Sequence, residues 1–243
     1  LVGLRNAIRL ARFLGHEKEA VQWTAEYQDY ERTFLEKLEE VCGPSNYIPP
    51  GLENQGGQDW GNLIGVWPAE VLDPMDIRIG ATLERMHAEK YEEDCMTYMD
   101  RIHQYLTVKA TQNHVVRGEQ EQTLKDFYGI LLHTGSANEM FEWQAQPWGD
   151  RDTAGNFPPH GWGAAMFNLL LRNMLVQERG GNAGLEGREL HLCSALSPEW
   201  VKPGQHISVK DAVTELGKVS FQYHFDQNGA VFKYDPDYRQ EPL

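Results

Sequence analysis

Apolar residues recur at helical spacing from the first position, at Leu1, Leu4, Ile8, Leu10, Ala11 and Leu14, until Gly15 ends the run. A second, longer helix is predicted over residues 17–41, with Ala20, Trp23, Tyr27, Tyr30, Phe34 and Leu38 along one face that reads as core. The turn between them is short enough to fold the pair into an antiparallel hairpin. After an irregular stretch at 43–58, rich in Gly, Pro and Asn, the pattern predicts helices over 60–71 and 75–90, the second with Pro74 at its first turn. Residues 91–97 read as a loop, 98–108 and 120–133 as helices, and 134–158 as a long loop. The helix expected at 160–177 is apolar nearly all round and should be buried. Beyond the glycines at 180–184 the period becomes that of strands, around Leu190 and Leu192 and over 206–209, 219–223 and 231–234, with a hairpin turn at 226–229. The expected organisation is a helical unit over residues 1–181 and a β-rich unit over 182–243.

The helix connections are unequal: short turns near Gly15 and Asp73-Pro74 alternate with long loops at 43–58 and 134–158. In a ring of helical hairpins, connections of one kind share a face. The long loops should therefore gather on one rim, where a rigid scaffold usually carries its functional residues.

Those loops and their flanks hold Gly57-Gln58-Asp59-Trp60-Gly61-Asn62, Trp67-Pro68, Phe141-Glu142-Trp143, Pro147-Trp148-Gly149-Asp150-Arg151 and Pro159-His160-Gly161-Trp162. Together they resemble the six-hairpin glycosidase superfamily. Leu190-His191-Leu192, Ser197-Pro198-Glu199-Trp200 and Gly204-Gln205-His206-Ile207 resemble the β-domain that follows the toroid in rhamnosidase-like members. The resemblance implies a mainly α fold, helical hairpins of an (α/α)6 toroid followed by a small antiparallel β-sandwich-like domain. The chain would supply about the C-terminal half of the toroid, with the N-terminal part of the same polypeptide as its partner. It also implies a glycoside hydrolase acting on an oligo- or polysaccharide.

That chemistry needs two carboxyl groups, one to protonate the leaving oxygen and one to activate water or attack directly. The resemblance points to Glu142 as general base, with Glu139 as the next candidate. Asp59, between glycines that let a backbone approach a sugar closely, is the second carboxylate or a hydroxyl ligand; it reads equally well as a helix N-cap. Trp60, Trp143, Trp148 and Trp162 offer flat faces to sugar rings, and Glu139, Asp150, Arg151 and His160 offer hydrogen bonds to hydroxyls. A polysaccharide lyase on the same toroid is the alternative, with Arg151 and His160 as its basic pair. A non-catalytic glycan-binding fragment is the third reading.

Composition narrows the partners. A net charge of −14 argues against nucleic acid, and no basic amphipathic face suggests a membrane surface. Cys42, Cys95 and Cys193 stand far apart with no zinc-ligand spacing, leaving one bridge possible and the compartment open, with action on polymers favouring a secreted or periplasmic one. His103, His114, His133 and His160 show no HExxH or paired spacing, so neither a metal nor another cofactor is expected. Arg117 and Glu119 read as a capping or ion pair.

Overall fold

The computed structural model describes residues 1–51, 61–98, 101–135, 138–141, 158–180, 187–240 and 242. Helices α1 (Val2–Phe13) and α2 (Glu17–Cys42) form the expected hairpin around Gly15, whose φ of +75° suits the left-handed turn. The buried stripe of α2 is narrow, Ala20, Tyr27, Leu38 and Cys42. Tyr30, expected in the core, lies to one side of it and is exposed, and Trp23 is half-buried.

The helix expected at 60–71 does not form over its described part. Residues 61–72 make successive turns instead, because Pro68 has no N–H to continue a ladder and the Gly65 carbonyl accepts from both Val71 and Leu72. Helix α3 (Ile77–Lys90) begins after Asp76, whose carboxylate accepts the Arg78 amide at 2.8 Å, so Pro74 precedes the helix. A small antiparallel sheet, β1 (Tyr91–Glu92), β2 (Cys95–Tyr98) and β3 (Arg101–Ile102), occupies the span read as loop and helix start. Helix α4 (Gln104–Arg117) runs well past the predicted end at 108. Helices α5 (Gln120–Leu132) and α6 (Gly161–Leu175) follow, and α6 passes directly into strand β4 (Val176–Gly180).

This architecture corrects the expected helical ring. The main helix–helix packings are α1 on α2, α4 on α5 and α4 on α6, whereas α3 packs chiefly on strands β1 and β2. The chain is a mixed α and β structure of six helices and three small antiparallel sheets among the described residues, not an (α/α)6 toroid segment. Helix α6 is also less buried than its composition suggests. Gly163, Leu170, Asn173 and Met174 face inward, while Trp162 and Leu169 are 45% and 37% exposed.

The C-terminal strands were legible, but they do not make a simple sandwich. β4 pairs with β5 (Arg188–Leu192), so one ladder crosses residue 182, the expected boundary between units. β6 (His206–Thr214), β7 (Gly217–Asp226) and β8 (Gly229–Tyr238) form a meander with its tight turn between Asp226 and Gly229. Val219 and Phe221 of β7 pack with Val176 of β4, while β8 is exposed along nearly its whole length. An ionic chain also ties sheet to helices. Arg188 reaches Glu70 at 2.7 Å and Glu215 at 3.3 Å, and Glu215 pairs with Arg9 of α1 at 2.7 Å.

Helix α4 separates two apolar clusters. Leu106, Ala110 and Val116 join α2, α3 and the 61–72 turns on one side. Val108 and Val115 join Phe127, Ile130, Phe141, Leu170 and Met174 on the other. The three cysteines are free, Cys42 and Cys95 buried and Cys193 half-buried.

Close packing of α5 on the β1–β2 turn yields a test. A Cβ at Gly129 would stand 2.9 Å from the Asp94 carbonyl oxygen and 3.1 Å from that of Glu93, both backbone atoms. Gly129→Ala should therefore destabilise by about 1–3 kcal/mol through overpacking. Gly3→Ala, with nothing within 4 Å of the new methyl, should be neutral or stabilising by up to about 1 kcal/mol. Urea unfolding of the two variants measures the contrast, and equal stability would show that α5 can move off the turn freely.

Candidate functional site

Tyr105, Lys109 and Asn113 are spaced by four residues, so α4 carries them on one face. That face meets α6 at Trp162 and the 61–72 turns at Asn62 and Trp67, enclosing a cavity of about 360 Å³. Its floor is apolar, made in part by Met86, Met96 and Leu106. The Lys109 ammonium lies 5.2 Å from the Trp162 ring centroid, and burial lowers its pKa from the ordinary lysine value. Asn113 spends its amide N–H on the Lys109 carbonyl at 2.8 Å. Its Oδ1 is buried without a hydrogen-bond partner among the described residues.

At one end of this cavity α4 and α6 begin side by side. His103 precedes α4 and His160 precedes α6, and neither side chain caps its helix. Tyr105 stands between them, its ring centroid 4.0 Å from His103, 5.8 Å from His160 and 4.7 Å from Trp162. Nδ1 of both histidines is buried without a hydrogen-bond partner among the described residues. Burial, reinforced by His160 and Lys109, pushes His103 down to about 4, so its imidazole is neutral at pH 7.

The segment before the second long loop is fastened here. The Phe141 amide donates to Gln104 Oε1 at 3.1 Å, and the His160 amide donates to the Met140 carbonyl at 2.9 Å. The described flanks of residues 142–157 therefore meet at the N-terminal ends of α4 and α6.

Of the residues singled out from sequence, Trp162 lines the cavity and His160 sits beside it. Glu139 is half-buried in the fastened segment, where its carbonyl accepts the Gly135 amide at 2.8 Å. Asp59, Trp60, Glu142, Trp143, Trp148, Asp150 and Arg151 lie outside the described residues. Tyr105, Lys109, Asn113 and His103 were missed as site residues, although their spacing would have grouped the first three had α4 been extended.

No family model matches this chain, and comparisons with curated proteins and with solved structures also return no match. Its chemistry rests on the geometry of its own side chains.

A second cluster lies toward the other end of α4, eleven residues on and so about 16 Å away along the helix axis. His87 Nε2 of α3 is 2.9 Å from His114 Nε2 of α4. His114 Nδ1 is 2.6 Å from Glu119 Oε2, whose other oxygen accepts Arg117 Nε at 2.6 Å, the ion pair expected for Arg117 and Glu119. Asp126 of α5 completes a set of metal-capable groups whose ligand atoms lie within 4.8 Å of one another. Burial, with help from His114, pushes His87 down to about 4. Burial likewise raises Asp126 to about 6, against the charge of His114 and hydrogen bonds from Gln122, Thr111 and Tyr91 that favour its ionised form.

His103 makes a pH prediction with a definite sign. Its folded pKa is about 4 against 6.5 for the free side chain, so between these values only the unfolded chain takes up the proton. Its contribution to stability is complete above about pH 6.5 and is lost as pH falls toward 4. His103→Asn keeps a residue suited to a helix start and removes this proton. Its thermal midpoint, followed at stepped pH, should fall less steeply across that window than the wild type's. Identical slopes would mean that His103 charges as readily in the fold as in water.

Proposed function

We propose that the chain binds a glycan in the cavity between α4, α6 and the 61–72 turns and belongs to a glycoside hydrolase. One observation carries the reading: Asn62, just after the first long loop, and Trp162, just after the second, line the same cavity with Trp67 and Asn113. Indole rings suit the apolar faces of a sugar ring, and the amide side chains of Asn62 and Asn113 suit its hydroxyls. A volume of about 360 Å³ is at the small end of ligand pockets and fits one or two sugar units.

Among the described lining residues none is a carboxylate. The acid–base pair is therefore assigned to the two loops, with Glu142 as general base and Asp59 as second carboxylate or hydroxyl ligand. Glu142 follows Phe141, which is held on Gln104 beside the two histidines. One carboxyl group protonates the glycosidic oxygen while the other activates water or attacks the anomeric carbon.

Glu142→Gln should lower kcat on a cleavable glycoside by about 10²–10⁴-fold and abolish one limb of a bell-shaped pH–rate profile. Trp162→Ala should raise KM at least about tenfold while leaving the pH profile in place. Undiminished turnover by Glu142→Gln would remove its catalytic assignment.

A lyase is the second reading, favoured by the grouping of Tyr105, His160 and Lys109, since that reaction uses a Tyr or His base and a cation at the substrate's acid group. An unsaturated product absorbing in the ultraviolet would identify it. Saturable sugar binding without turnover would instead identify a purely binding role.

A further inference from the structure

We infer that His87, His114 and Asp126 form a binding site for a divalent transition-metal ion of the Zn²⁺ class, joining α3, α4 and α5. The ligand types are right for such an ion, two imidazoles and a carboxylate. Tetrahedral coordination at about 2.0–2.1 Å sets two ligand nitrogens about 3.3 Å apart. The two Nε2 atoms stand 2.9 Å apart, so a few tenths of an ångström of separation admits the ion between them.

Two further observations point to a cation. The first is the outer shell: His114 turns its other ring nitrogen to Glu119 at 2.6 Å, and Arg117 holds that carboxylate in place. This carboxylate–histidine pairing fixes the His114 tautomer with its Nε2 lone pair toward His87, the orientation of a metal-bound imidazole. The second is Asp126, which is 0% exposed and, among the described residues, accepts hydrogen bonds from neutral donors alone, Thr111 Oγ1 at 2.8 Å, Gln122 Nε2 at 2.7 Å and Tyr91 OH at 3.4 Å. A buried carboxylate is costly without a counter-charge, and an ion at this place supplies one.

The bland reading is a neutral His–His hydrogen bond beside a buried acid. It accounts for the 2.9 Å contact but leaves Asp126 with a counter-charge only when His114 is protonated. Access also favours an ion: His87 and His114 both line a surface cleft of about 580 Å³, through which an ion can enter and from which water can fill its remaining position. On binding, the proton between the two Nε2 atoms moves to His87 Nδ1, so that His87 stays neutral and both Nε2 lone pairs face the ion. The site is independent of the glycan cavity and stands or falls separately from it.

Chelator-treated protein titrated with Zn²⁺ against a chromophoric chelator tests the site. One equivalent should bind in the micromolar range or tighter, and Co²⁺ should give the intense visible bands of a tetrahedral site. The thermal midpoint should rise by about 5–10 °C with free Zn²⁺ at a hundredfold excess over Kd. His87→Ala, at a partly exposed position, should weaken binding at least about a hundredfold, and Glu119→Gln about 10–100-fold. His224→Ala, which breaks the histidine pair His206–His224 on the terminal sheet, should change nothing. No binding below millimolar Zn²⁺ by the wild type would overturn the proposal. So would wild-type affinity in His87→Ala or, should that variant fail to fold, in Glu119→Gln.

Discussion

The buried polar content of α4 is the constraint on which the rest of the structure depends. Eleven of its fourteen residues are buried, and six of those are polar: Gln104, Thr107, Thr111, Gln112, Asn113 and His114. Each unpaired buried group costs about 1–3 kcal/mol, so a helix of this kind is stable only where its neighbours supply partners. They do so from every side. Gln104 bridges the Phe141 amide and the Ile130 carbonyl, Thr107 accepts the Met96 amide, Thr111 meets Asp126, and Gln112 accepts from Asn173. Apolar packing alone would let these elements slide along one another. The directional bonds fix β2, α5, α6 and the 139–141 segment in one register against α4. Asn113 Oδ1 and Gln112 Nε2 are the exceptions, buried without a hydrogen-bond partner among the described residues, and Asn113 also lines the cavity.

This arrangement also explains how far the sequence could be read. Helices α1, α2, α3 and α5 carry ordinary apolar periods and their near-boundaries were legible, whereas the strands at 206–238 were legible in existence but run about twice as long as read. Helix α4 was truncated at 108 because Lys109, Thr111, Gln112, Asn113 and His114 look like surface in a linear reading. Burial of polar residues depends on partners up to 61 residues away, as with Gln112 and Asn173, and no local pattern encodes such pairs. The 61–72 turns failed as a helix for a local reason that was visible in Pro68 and the paired glycines Gly61 and Gly65. For α6 the error ran the other way: composition gave an apolar helix, while only one face is covered. The ring of hairpins fell with these details, because β1–β3 stand where a helix pairing was expected for α3.

The two ends of α4 divide the chemistry. Lys109 lines the cavity, with His103 and Tyr105 grouped beside Trp162 at its end, and His114 faces α3 and α5. The first group was legible in part, because loop length and aromatic content drew attention to His160 and Trp162. The second was invisible, since His87, His114 and Asp126 are brought together from three helices and have no motif spacing. Arg117 and Glu119 read correctly as an ion pair, yet their place in the cluster appears only once His114 is seen against Glu119.

Electrostatics separates the readings of the cavity. The chain carries a net charge of −14, so an acidic polymer would approach against a repulsive field. Within the described cavity Lys109 is the lining cation, and burial already weakens its hold on a proton. His103 is kept neutral at pH 7 by the same burial. A lyase must neutralise the substrate's carboxylate before removing the adjacent proton, and this described lining offers little charge for that step. A hydrolase acting on a neutral glycan needs no such cation. Two indole rings and the amide side chains of Asn62 and Asn113 suit a substrate whose polarity lies in hydroxyls, and a negative protein does not repel it.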